Sequence, residues 1–449
     1  MNHFTKQLIQ VCHPHNRPYP ADVRRIAQHS LLDWISVLVG GLDQPVTQIV
    51  LQEALDNGSS PQACVPGTPY RVSLRDAARI NGTASHALDF DDTHLPSRVH
   101  PSTPLWPGIL ALAEELNLPG HRIIDAFIAG VEFQSRLAAA FGESHYAAGW
   151  HNTATLGTFG SAFACGVLLE LEPSQLAAAL GIAASLTSGP RLQFGSDAKA
   201  LQCGSAPSNG LFSARLAQRG LTAHPAIFDQ PSGFIKMIAT TFTRQIDSER
   251  WYTRDIVYKY HASCYGTQAP IAAALSLPQG AFPEGPISVW IEPQYLSVCN
   301  ISMPLTLNEA RFSVRHMVAM ALLGRDTVSE SGLHESLLDH CVTQLRERVY
   351  VEADSNLARA TSRIVFSNGA IYRADMSQPE QDHQRQRHQL EQKSLRLLTG
   401  TFSSERIARI HLCIAEIDSD ILVNTLCSEV SLKNRTGYSV ISSIPETAD

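Results

Sequence analysis

The sequence predicts a mainly α protein: an all-helical domain interrupted by a smaller α+β domain. Three observations predict it. Apolar residues recur at helical spacing through the first two-thirds of the 449 residues. After about Tyr265 the period falls to two, and an Asn-Gly turn signal appears. Helical spacing then returns near the C-terminus. The expected division is 1–265 helical, 266–395 α+β, and 396–449 as the helical return. The length itself calls for two domains, because one core rarely serves so long a chain.

The helical elements follow from the spacing. Val23, Ile26, Leu31, Trp34, Ile35 and Leu38 form one stripe, with Gly40-Gly41 as its stop. Asp76 to Leu88 makes a short helix, and Leu110 to Leu116 and Ile123 to Leu137 continue the pattern. Thr153 to Leu169 contains no charged residue and carries Gly157, Gly160, Ala162, Ala164 and Gly166. Small residues let helices approach closely, so this helix is expected at the centre of its domain, where packing offsets the cost of glycine. Ser174 is expected to cap the next helix. In the insertion, Ile287, Val289 and Ile291 alternate with polar neighbours, and Tyr350 to Ala353 is a second strand. Asn368-Gly369 joins two β-prone runs within Ser362 to Ala374. Gln378 to Lys393 is polar and reads as an exposed connection or helix. Ile407, Ile410, Ile414 and Ile417 resume the helical period.

Composition excludes several classes. With 44% hydrophobic and 17% charged residues the chain is globular in balance. A net charge of -7 provides no global basic field for nucleic acid or anionic membrane, so neither is an expected partner. An anionic substrate then needs a local cationic pocket. Met1 to Pro20 lacks a long apolar stretch of the secretory kind, and no run approaches the roughly 20 apolar residues of a membrane span. The nine cysteines are scattered without CxxC spacing, which suits a reducing, cytoplasmic setting with most of them buried as small hydrophobes.

Unusual polar residues concentrate in short stretches: Asn81 to His94, His100 to Thr103, Gly149 to Thr153, Arg191 to Asn209 and Lys259 to Cys264. His86, Asp89 and Asp91, with His100, are conceivable metal ligands, but HExxH, an EF-hand loop and paired CxxC are all absent; no metal is expected. The Asp cluster can equally cap helices and fix a turn. His151 opens the charge-free helix, whose free N–H groups suit a substrate carboxylate, and a histidine there can move a proton near neutral pH. It can also be a helix-entry residue bonded only to backbone. Lys199 lies in FGSDAKALQCG, where it either pairs with Asp197 or reaches an anion. GxGxxG, GxxxxGK[ST] and GxSxG are absent, which counts against dinucleotides, nucleoside triphosphates and the α/β-hydrolase class.

Taken together, NGTASHALDFDDTH, HPST, GWHNTATLGTFG, RLQFGSDAKALQCGSAPSNG and KYHASCYGTQAP resemble the MmgE/PrpD superfamily, in its order. FSVRHMVAMALL from Phe312 resembles its later helix. The resemblance implies a helical domain with an α+β lid, an active site between them, homodimers, and catalysis with no metal or organic cofactor. It implies that Asp91, Thr93, His100, His151, Lys199 and His261 line the pocket. His261, His151, His100 and Lys199 are the catalytic candidates, with His261 the favoured acid or base. Asp91, Thr93, Arg191, Gln202 and His316 are the substrate-binding candidates. Three places depart from the pattern: Gln202 stands where the family often has histidine, a tyrosine usual near His316 is missing, and QPEQDHQRQRHQ replaces a loop containing glycine and proline.

The expected function is a cofactor-independent lyase, a dehydratase or decarboxylase, acting on a small tri- or dicarboxylate. Developing enolate-like charge next to a carboxylate needs cations and oriented donors, which Lys199, His100 and the helix amides at His151 can supply. The alternatives are a dicarboxylate epimerase or isomerase of the iminodisuccinate type, a metal-dependent hydrolase using the His/Asp cluster, and a carboxylate-binding protein without activity.

Overall fold

The computed structural model describes residues 3–230, 233–277 and 282–432. The fold is mainly α with a smaller α+β part. The chain forms two compact units. One comprises residues 1–87, 94–256 and 390–449, and the other 88–93 and 257–389. The chain thus changes unit at 87/88, 93/94, 256/257 and 389/390; residues 88–93 lie inside the span 1–265 that the sequence assigns to the helical domain. Residues 433–449, the end of the expected C-terminal return, lie outside the described residues.

The first unit is mainly helical and holds a two-stranded ladder, Ala63–Cys64 with Arg71–Val72. At its heart lies the helix Asn152–Leu168, buried over its whole length. A helix with no charge on any face has no side to show water, so burial on all sides is its stable place. Small residues set how closely its neighbours come. A Cβ on Gly157 would lie 2.5 Å from Pro104 Cβ, and one on Gly210 2.4 Å from Ser161 Cβ. The helices Leu74–Ala87 and Ala198–Gln218 touch backbone to backbone: a Cβ on Gly204 would lie 2.3 Å from the Arg79 carbonyl oxygen. These contacts bring the ends of four helices to one place, which matters for the site.

The helix Pro173–Leu186 starts differently from expectation. Glu172 is its N-cap, with Pro173 at the first helical position and Gln175 completing a reciprocal capping box; Ser174 lies inside the first turn. The polar segment after Gln378 becomes the helix His383–Leu398. Its Lys393 is buried, with the ammonium 2.6 Å from Asp33 of the helix Ala21–Gly40. That ion pair ties the returning chain into the first unit. The helix Ser404–Ala415 follows, with Ile407, Ile410 and Ile414 buried.

The second unit holds a four-stranded sheet. Its strands are β1 (Ile287–Ile291), β2 (Val349–Ala353), β3 (Thr361–Phe366) and β4 (Ile371–Asp375), in the order β2-β1-β3-β4. β1 runs parallel to β2 and antiparallel to β3, and β3 and β4 form the hairpin closed around Asn368-Gly369. Gly369 has φ +84°, the left-handed geometry such a turn needs. Alternation puts Ile287, Val289, Ile291, Ile364 and Phe366 on one face, where they join a core with Met317, Val318 and Met320 of the helix Val314–Leu322. No single helix among the described residues is long and apolar enough to cross a membrane.

Candidate active site

In the first unit, four helix ends converge. His86 closes Leu74–Ala87, His100 precedes Ser102–Leu116, and His151 is the N-cap residue of Asn152–Leu168. Lys199, Gln202 and Cys203 occupy the first turns of Ala198–Gln218. The His86 ring lies 4.8 Å from that of His100 and 6.1 Å from that of His151, centroid to centroid. The backbone N–H of His100 donates to Thr153 Oγ1 at 3.1 Å, which fastens it to the start of the central helix. Lys199, 9% exposed, has its Nζ 5.3 Å from the centre of the Phe194 ring, and Phe194 meets His151 edge to face at 4.9 Å.

His151 is held on two sides. Its backbone N–H donates to the Gly189 carbonyl at 2.8 Å, and its Nδ1 lies 2.9 Å from Gln202 Oε1. Burial pushes the pKa of its imidazole well below the ordinary histidine value, and the neighbouring His86, Lys199 and His100 act in the same direction. The ring is therefore neutral at neutral pH, able to accept a proton or a hydrogen bond. Gln202, expected to bind substrate, directs both ends of its amide to protein groups: Oε1 to His151, and Nε2 to the Pro190 carbonyl at 3.1 Å. Arg191 lies in a short 3-10 turn with its guanidinium 4.2 Å from the centre of the Tyr146 ring.

Within this unit, His86, His151 and Cys203 place ligand atoms within 4.8 Å of one another, and so do Cys64, Glu114 and Cys427. Either trio has the donor types of a transition-metal site. Glu114 already bonds the backbone N–H of Cys64 at 2.8 Å and the Arg71 guanidinium at 2.5 Å. No motif singles out Cys203, and the sequence marks His86 only as a conceivable metal ligand; the close approach of Gly82 and Gly204 is what joins the two.

In the second unit, His261 borders a cavity of about 650 Å³ whose walls include Tyr260, Tyr265, Gln268, Asp375 and Arg385. Its Nδ1 is 2.7 Å from Thr327 Oγ1, and its backbone N–H donates to Gln268 Oε1. Lys259 is locked elsewhere: its ammonium donates to the Asp89 carbonyl at 2.5 Å and carboxylate at 3.1 Å. Asp89 itself has φ +49°, so the acidic stretch turns sharply there. Asp91 and Thr93 are buried. His316 is fully enclosed, with Nε2 2.8 Å from Ser336 Oγ, and is not part of the cavity wall that holds His261. Burial lowers its pKa to about 4, with help from Arg346.

The sequence matches the MmgE/PrpD N-terminal domain over residues 10–247 and the MmgE/PrpD C-terminal domain over residues 261–417. The chain belongs to the MmgE/PrpD superfamily. Among its relatives is the human (Homo sapiens) cis-aconitate decarboxylase, 29% identical over 344 residues, which are 72% of this chain and 71% of that protein. The Mus musculus enzyme of the same name is 29% identical over 347 residues, 73% of this chain and 71% of the relative. The cis-aconitate decarboxylase of Aspergillus terreus is 30% identical over 284 residues; that match spans 59% of this chain and 58% of the fungal protein. This MmgE/PrpD chain is an enzyme of the lyase type.

Proposed function

We propose that this MmgE/PrpD enzyme decarboxylates or dehydrates a small tricarboxylate related to cis-aconitate, moving a proton at a carbon beside a carboxylate. The observation that carries the reading is the meeting of three histidines and a lysine at the N-terminus of an uncharged, buried helix. On a chain of net charge -7, a polyanion needs a local cation, which Lys199 supplies in this cluster. The relatives named as cis-aconitate decarboxylases support that substrate class.

The chemistry follows from the residues. When carbon dioxide leaves an unsaturated tricarboxylate, the electron pair of the broken C–C bond delocalises toward a remaining carboxylate. Lys199 and the free N–H groups that begin Asn152–Leu168 stabilise that developing charge. A proton delivered to carbon completes the step. The neutral His151 ring is placed to accept a hydrogen bond or carry the proton, and His100 and His86 stand beside it. His261, on the wall of its cavity in the second unit, is the second proton carrier of this proposal, assigned from its KYHASC motif. No bound metal has a part in the scheme.

The experiment is a screen of di- and tricarboxylates with product analysis by NMR in deuterium oxide. Release of carbon dioxide with one solvent deuteron entering the product at carbon, or loss of water with the abstracted proton passing to solvent, is the expected result. Inversion of a stereocentre without net change in composition would instead establish an epimerase. Activity abolished by a chelator and restored by a metal would move the chemistry to His86, His151 and Cys203 acting as ligands.

A further inference from the structure

We propose that Gln202 is a positioning residue: it holds the His151 imidazole as the Nδ1–H tautomer, so that Nε2 carries the lone pair and is the atom presented to substrate. The backbone sets the geometry. The N–H of His151 donates to Gly189 O at 2.8 Å, and the N–H of Arg191 donates to Gly149 O at 2.7 Å. These two bonds clamp Gly149–His151 against Gly189–Arg191. Pro190 therefore presents its carbonyl at a fixed place, and that carbonyl can only accept.

The Gln202 amide reads this constraint. Its Nε2 donates to Pro190 O at 3.1 Å, which turns Oε1 toward His151 Nδ1 at 2.9 Å. The reversed amide would set two carbonyl oxygens against each other. With an oxygen facing it, Nδ1 must carry the hydrogen, because two acceptors make no bond. Gly189 leaves room for the arrangement. Its φ is +140°, and a Cβ there would lie 2.7 Å from Ala154 Cβ and 3.3 Å from Gln202 Oε1. Against a second proton stand burial and the nearby His86, Lys199 and His100. The ring is thus neutral, with one defined acceptor atom. That this acceptor serves substrate rests on the function proposed above; the tautomer itself does not.

The test is a long-range proton–nitrogen NMR correlation on the full-length protein labelled with [15N]histidine, at neutral pH. His151→Asn identifies the signal. The expected wild-type pattern is a protonated Nδ1 and an unprotonated Nε2. Gln202→Met, which removes the acceptor, is expected to give a mixture of tautomers. Gln202→Glu is expected to keep Nδ1–H and to extend the doubly protonated form to higher pH. Should Gln202→Met fail to fold, the wild-type pattern and Gln202→Glu still decide. An Nε2–H wild-type ring, a Gln202→Met ring unchanged from wild type, or a Gln202→Glu titration that does not move each overturns the assignment. Activity separates the two proposals. A wild-type Nδ1–H ring with a fully active His151→Asn enzyme keeps the tautomer and removes His151 from the chemistry. An inactive His151→Asn enzyme with an Nε2–H wild-type ring does the reverse.

Discussion

Lys199 and Lys259 are both buried lysines within short motifs, yet the two units use them differently. In the second unit, the Lys259 ammonium is fixed on the carbonyl and carboxylate of Asp89. That pair neutralises itself and braces the turn at Asp89. In the first unit, Lys199 stands over an aromatic ring beside a neutral histidine. Lys259 is committed to a carboxylate of its own unit, whereas Lys199 lies beside the histidines to which the proposed function gives the substrate. The same contrast separates His316, enclosed against Ser336, from His261 on a cavity wall.

The largest expected effect falls on His261. Replacement by alanine should lower kcat by roughly 10²–10⁴-fold, the loss typical of a general acid or base, with a smaller change in KM. Deuterium entry into product should fall in parallel. A His261→Ala enzyme with near-normal kcat would pass the proton-transfer role to His151 or His100.

Lys259 should respond in stability. Lys259→Met leaves Asp89 buried without its cation, which typically costs about 3–5 kcal/mol. Urea unfolding should show that loss, and Lys259→Met with Asp89→Asn should recover part of it. A Lys259→Met protein of undiminished stability would mean that the pair does not brace the fold, and the contrast between the two lysines would collapse.

His316 gives the pH arm of the comparison. Its pKa falls to about 4 in the folded protein from 6.5. Between those values the unfolded chain binds the extra proton, so folding stability is lost as pH drops from about 6.5 toward 4. The full shift corresponds to about 3 kcal/mol. His316→Asn should flatten the stability slope in that window, whatever it does to absolute stability. An unchanged slope would assign the acid sensitivity to other groups, such as the buried His151.

Much of this was legible in the sequence, for reasons that particular residues show. The charge-free run after His151 had only one stable place, and the Asn-Gly pair marked the hairpin of β3 and β4. The parallel pairing of β1 with β2 was not legible, because it depends on a crossover through several short helices between Ile291 and Val349. Pro173 and Gln175 carry the signature of the helix start at Glu172, which the preference for serine as a cap does not contain. At the site, the histidines and Lys199 stood out by motif. The contacts of Gln202 and Cys203 did not, since each depends on a neighbour about 50 or more residues away, His151 or His86. Local periodicity carries no information about such contacts.

The smallest effect, and the sharpest for the comparison, is that of Lys199→Ala. A charged hydrogen bond to a substrate carboxylate contributes roughly 1.5–3 kcal/mol, so its loss should lower kcat/KM by about 10- to 150-fold. If the proposed carboxylate site is where the Lys199 ammonium acts, urea unfolding should change little, unlike that of Lys259→Met. Lys199→Arg should recover only part of the activity: guanidinium keeps the charge, but its planar fork does not replace a compact ammonium over the Phe194 ring. Steady-state kinetics and unfolding on the same preparations separate the two roles. A Lys199→Ala protein that loses stability while its remaining folded fraction keeps full specific activity would make Lys199 structural, like Lys259, and remove the cation on which the proposed carboxylate site depends.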